Sequence, residues 1–99
     1  MTNINIFEKW VSLEENIGKE GSEHGEILVD YELPHLSRMT IEKKVDIRNN
    51  IPYYAITVGV YGIIMHTAYF KSFDDAKEGY DALRIIIQAL LFSMEKNSS

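Results

Sequence analysis

The stretch YYAITVGVYGIIMHTAYF, from Tyr53 to Phe70, decides the fold. It is apolar and aromatic along its whole length, a composition that suits a pleated and half-buried surface. Gly62 divides it and supports a tight hairpin between one strand over Tyr53–Tyr61 and another over Ile63–Lys71. With Tyr61-Gly62 as a two-residue turn, Val60 lies opposite Ile63. Tyr54, Ile56, Val58 and Val60 then share a face with Ile63, Met65, Thr67 and Tyr69, and this is read as the core face. The other face carries Tyr53, Ala55, Thr57 and Gly59 beside Ile64, His66, Ala68 and Phe70.

Upstream, Ile27, Val29, Tyr31 and Leu33 alternate with Leu28, Asp30 and Glu32, and Pro34 ends that strand because it lacks a backbone donor. Met39, Ile41, Val45 and Ile47 alternate with Thr40, Glu42, Lys44, Asp46 and Arg48 in a second strand, closed by the turn signal Asn49-Asn50. Downstream, Ser72 is a good N-cap, and Asp74 and Asp75 favour the dipole of the helix that follows. Ala76, Tyr80, Leu83, Ile87, Leu90 and Met94 recur along it at helical spacing. Ahead of the strands, Phe7, Trp10, Val11 and Ile17 share one helical face, which predicts a short N-terminal helix ended by Gly18. Residues 18–26 read as a mobile connector and residues 96–99 as a frayed tail. The expectation is a single α+β domain over residues 1–99. It is a four-stranded antiparallel β-meander flanked by a short N-terminal helix and a long C-terminal helix, in the order α-β-β-β-β-α.

Composition narrows the chemistry. The chain of 99 residues has no cysteine, which removes disulfides, thiolate catalysis and Cys-type metal sites and favours a reducing compartment. No basic segment followed by an apolar run stands at Met1–Asn5, so no signal peptide is expected. The most apolar run, Ile85–Phe92, would cover about 12 Å as a helix, against about 30 Å for a bilayer core. These features read as a cytoplasmic protein with no membrane partner. The net charge of −5 is uneven: residues 1–37 hold eight acidic side chains against Lys9 and Lys19, while residues 38–99 hold eight basic and seven acidic ones. Lys43, Lys44 and Arg48 form the only basic cluster, and Glu42 and Asp46 interrupt it, so nucleic acid is not the expected partner. The acidic N-terminal part is a solvated surface or, in the sharper reading, a patch that docks on a basic protein partner.

No catalytic residue, metal or cofactor is assigned. His24 and His35 sit in a polar loop and a turn, and no histidine pair has the spacing of a helical metal site. His66 lies mid-strand in an apolar run. It has the pKa range of a general base, but a core or interface histidine is the plainer reading. Asp74-Asp75 is explained by the helix start, and Glu14-Glu15 are adjacent helical positions that do not converge. There is no phosphate-binding glycine loop and no nucleophile elbow.

Some apolar surface exceeds what one core needs. The second half of the C-terminal helix is apolar nearly all round. The far face of the last two strands is apolar where a one-sided sheet turns polar. Patches of this kind mark interfaces. Tyr53, Ala55, Ile64, Ala68, Phe70, Ile85, Ile86 and Phe92 are therefore the expected homo-oligomer interface, most simply of a two-fold dimer. Tyr31, Met65, His66 and Tyr69 are the candidate ligand-binding residues, in a pocket between sheet and helix or between subunits. The sequence thus points first to a non-enzymatic interaction module of adaptor or inhibitor type that acts as a homo-oligomer. A small-molecule-binding protein is the alternative, and an enzyme built on His66 comes third.

Overall fold

In the computed structural model, which describes residues 10–61 and 64–97, each strand turns back on the one before it. The strands are β1 (Val11–Ser12), β2 (Glu26–Leu33), β3 (Ser37–Asp46), β4 (Ile51–Val60) and β5 (Ile64–Phe70). Each pairs antiparallel with the next, which gives a five-stranded sheet in the order β1-β2-β3-β4-β5. A long helix, α1 (Phe73–Asn97), follows β5 and packs against one face. Its start is capped as expected: the Asp75 N–H donates to Ser72 Oγ at 3.1 Å.

The α+β class holds, but the expected four strands become five and the expected N-terminal helix is corrected. The part of that helix before Trp10 lies outside the described residues. Val11 and Ser12 pair with Glu32 and Tyr31, and Glu14–Asn16 make only a single 3-10 turn. A strand here covers what would otherwise be the bare edge of β2. Trp10 is buried, its indole N–H donates to Gln88 Oε1 at 3.0 Å, and the Arg84 guanidinium lies over both its ring and that of Tyr31. Val11 and Ile17, expected on the same buried helical face, are exposed.

The register of the last hairpin is also corrected. Val60 pairs with Ile64 rather than Ile63, so three residues, 61–63, separate the paired positions. That shift of one exchanges the two faces of β5. Ile64, His66, Ala68 and Phe70 now lie on the helix side with Val60, Val58, Ile56 and Tyr54. Met65, Thr67 and Tyr69 lie on the opposite side with Gly59, Thr57 and Ala55. A bulge at Leu28 does the same to the start of β2: Val29 pairs with Ile41 on the helix side, while Ile27 pairs with Glu42 on the other.

The core forms where Met39, Ile41, Ile56, Val58 and Val60 meet Ala76, Tyr80 and Ile87 of α1. Burying each large side chain contributes about 1.5–3 kcal/mol. Gly79 lets the helix come down on the sheet, since a Cβ there would lie 3.1 Å from the Phe70 ring. Tyr80 is fully buried and its hydroxyl donates to the Met39 carbonyl at 2.8 Å.

Burial pushes the Tyr80 phenol well above its usual range. Its folded pKa exceeds its unfolded value of about 10, so its contribution is complete below pH 10 and declines as pH rises further, because only the unfolded chain releases the proton. Chemical denaturation of wild type should therefore show stability falling between about pH 10 and 11.5. Tyr80→Phe is expected to lose about 1 kcal/mol at pH 7 and to make that alkaline slope shallower by up to about 1.4 kcal/mol per pH unit. An unchanged slope would show that Tyr80 is not protected by the fold.

Candidate functional site

The sheet face opposite α1 is covered in part by the loop that runs from Ile17 to β2, which leaves Met65 and Tyr69 exposed. Residues 18–26, read from sequence as a connector, are tied back by backbone bonds. Gly18 N–H donates to Ile27 O at 2.8 Å, Ile27 N–H to Lys19 O at 2.9 Å and Gly21 N–H to Gly25 O at 2.9 Å. The loop closes around one side chain of β3. The Glu42 carboxylate is fully buried and accepts the backbone N–H of Gly25 at 3.0 Å and of Glu23 at 3.2 Å. These donors replace the hydration that burial removes. Gly21 is needed here, because a Cβ at that position would lie 2.3 Å from Glu42 Cδ. The loop is pinned from the sheet as well: Lys44 Nζ donates to Glu23 O, and Tyr69 OH donates to Glu23 Oε1 at 2.9 Å.

A second buried carboxylate lies on the same face. Asp30 accepts Arg38 Nε on Oδ1 at 3.0 Å, Arg38 Nη2 on Oδ2 at 2.6 Å and Asn16 Nδ2 on Oδ2 at 3.0 Å. The hydrogen bonds to Asp30 hold the Arg38 pKa above its usual range, against a smaller opposing effect of burial. Beside this pair, Tyr61 OH donates to Glu32 Oε2 at 3.0 Å. Desolvation, then that bond, raises the Tyr61 phenol, whereas the bond to Glu23 is what raises Tyr69.

Between the loop and the strands lies a groove of about 320 Å³, lined by Lys19, Thr40, Thr57, Gly59, Tyr61 and Met65 among others. Its size is at the small end of ligand sites. Of the charged residues around it, Arg38 is paired with Asp30, and Lys19 and Glu20 bring one charge of each sign, so the space suits a small neutral molecule better than an ion. The N–H donors around Asp30 and Glu42 commit both carboxylates to holding the fold.

The residues named from sequence as ligand-binding do not meet in one place. Met65 and Tyr69 are on the loop side, and Tyr31 is on the helix side under Arg84. His66 is on the helix side opposite Val58 and exposed to solvent. The named interface residues are divided too. Ala55 is fully buried and Tyr53 half-buried on the loop side, its ring 5.9 Å from that of Tyr69. Phe70 packs beneath Gly79, and Ala68 lies beside Ile56 on the helix side. Ile64 shares that side, while its side chain and that of Phe92 lie outside the described atoms. Ile85 and Ile86 do face solvent, and with Ala82, Ala89 and Leu90 they form an apolar stripe on the outer side of α1.

Among the described residues no cluster of His, Asp or Glu is placed to hold a metal ion. No described helix is long and apolar enough to cross a membrane. Asp30 and Glu42 escaped the sequence reading because strand alternation put them on a solvent face. The available signal was the pair of glycines, Gly21 and Gly25, in the polar loop that wraps Glu42. No protein-family model, curated protein or solved structure matches the chain.

Glu42→Gln puts an amide donor among backbone donors, and Gly21→Ala drives a methyl into the space of the carboxylate. Each is expected to cost about 1–3 kcal/mol and to speed amide hydrogen exchange at Glu23 and Gly25 by about fivefold or more. Exchange at the wild-type rate in both variants would show that the carboxylate does not hold the loop.

Proposed function

We propose that this chain is a non-enzymatic interaction module that works as a homodimer joined along β5. The observation that carries this reading is the outer edge of β5. Among the described residues no strand pairs with it, and its sequence IMHTAYF contains no charge and no proline. Edge strands are normally blunted by such residues, and one that is not invites another strand. The sequence is also suited to itself. An antiparallel pair of copies centred on Thr67 sets Ile64 opposite Phe70, Met65 opposite Tyr69 and His66 opposite Ala68, in both directions. Met65 and Tyr69, 74% and 57% exposed, would then cover each other.

The exposed stripe of α1 supports an interaction role but is too small to hold a dimer alone. Covering the outer halves of Ile85, Ile86 and Leu90 on two protomers is worth about 6 kcal/mol, at the low end of the roughly 4–15 kcal/mol that association costs. Strand pairing adds backbone hydrogen bonds and cross-strand contacts, each of the latter worth about 0.2–1 kcal/mol. The proposed dimer is reversible, and its Kd is set in the region of about 1 μM, a net association energy of about 8 kcal/mol. Exposed Glu14, Glu15, Glu20 and Glu26 give each protomer an acidic flank that fits a basic protein partner. A second reading, a small-molecule binder, is supported by the groove beneath residues 19–22, and its mark would be extra mass retained in native mass spectrometry.

Thr67→Lys places two lysines face to face across the proposed axis, and Thr67→Glu places two glutamates there. By native mass spectrometry at about 10 μM, wild type is expected to be dimeric and each variant monomeric. An equal mixture of the two variants is expected to recover a heterodimer. A monomeric wild type, or charge variants that still form homodimers, would overturn the dimer along β5.

A further inference from the structure

Beyond the last pairs on either side, Glu26 with Lys43 and Phe70 with Tyr54, no described strand lies beside the β3–β4 hairpin. Lys44 pairs with Tyr53, Val45 with Pro52 and Asp46 with Ile51, so the strands project as a two-stranded arm. The turn at its end is closed by Asp46, which accepts the Arg48 N–H on Oδ1 at 2.9 Å and the Asn50 N–H on its carbonyl at 2.7 Å. Turns of this kind favour polar residues and glycine. Yet Ile47, at the tip, is 97% exposed, and Ile51 and Val45 follow at 58% and 49%. None of these side chains belongs to the described core.

We infer that this arm is a docking tip for an anionic lipid surface. Two observations select that occupant. The first is charge: beyond Lys43 the arm, residues 44–53, carries Lys44 and Arg48 against Asp46, a net charge of +1 within a chain of −5. The arm reaches three residues past Lys43, about 10 Å, which exceeds the roughly 8 Å screening length at physiological salt, so the acidic body is largely screened from a surface at the tip. The second is the distribution of the apolar groups. Val45 and Pro52 lie on the helix side of the arm, Ile51 lies on the opposite side, and Ile47 lies at the end. A flat protein partner covers one side of such an arm, whereas a headgroup and acyl boundary surrounds it. Apolar residues that enter the boundary beside cations that stay at headgroup level are the means by which surface-bound proteins hold anionic membranes. The length of the apolar runs bears on spanning a bilayer and not on contact with its surface. The arm belongs to β3 and β4, so this inference stands apart from pairing along β5.

The test is co-sedimentation of the whole protein with extruded vesicles of phosphatidylcholine, with and without about one third phosphatidylserine. Binding is expected for the phosphatidylserine vesicles and not for phosphatidylcholine alone. Ile47→Asn, which suits the turn and leaves the unfolding midpoint unchanged, is expected to lower the vesicle association constant at least about tenfold. Arg48→Gln is expected to lower it about fivefold. Protein that stays in the supernatant with both vesicles overturns the inference and leaves a socket on another protein as the occupant. Binding that Ile47→Asn does not weaken overturns it as well.

Discussion

A sheet with two faces must keep both from water where they are apolar or hold buried polar groups, and the described chain brings one helix to do it. α1 covers the face of Met39, Ile41, Ile56 and Val58. The other face depends on a loop, and the loop depends on the carboxylate of Glu42. A polar loop has little apolar surface with which to pack, so it needs a directional anchor. A buried anion bonded to the Glu23 and Gly25 amides supplies one. Left without those amides, the same carboxylate would be a costly buried charge, and the loop and the side chain therefore stabilise each other.

Cover for the rest of the sheet runs out in consequence. Val11 and Ser12 close the β2 edge, the loop takes part of the second face and α1 takes the first. Among the described residues nothing remains for the outer edge of β5 or for the arm beyond Lys43 and Tyr54. These are the places where the chain departs from the usual safeguards, an uncharged edge strand and a turn with a bare isoleucine. Both departures are local disagreements between sequence and isolated fold, and such disagreements tend to sit where function does.

Much of the fold could be read from residues alone, because alternation, turn residues and a helix cap act locally. β2, β3 and β4 and the Ser72 cap follow from such signals. The β4–β5 register did not, since Gly62 marks a turn without fixing its length, and a two-residue and a three-residue connection differ by a full exchange of faces. The N-terminal segment failed for a different reason. Trp10, Val11 and Ile17 fit a helical period, but the unpaired edge of β2 is a tertiary demand that no local period reveals. For the candidate sites, the surplus apolar character of α1 was legible and Ile85 and Ile86 are indeed exposed. The buried roles of Asp30 and Glu42 were not legible, because alternation in a strand says which side a residue takes and not what will cover that side.

The most direct test of this account is amide hydrogen exchange across β5, measured on wild-type protein at concentrations well below and well above about 1 μM. If the uncovered edge is where two copies meet, exchange of the outward β5 amides slows at high concentration, while exchange of β3, in the middle of the sheet, does not change. Exchange along β5 that is the same at both concentrations would contradict the account.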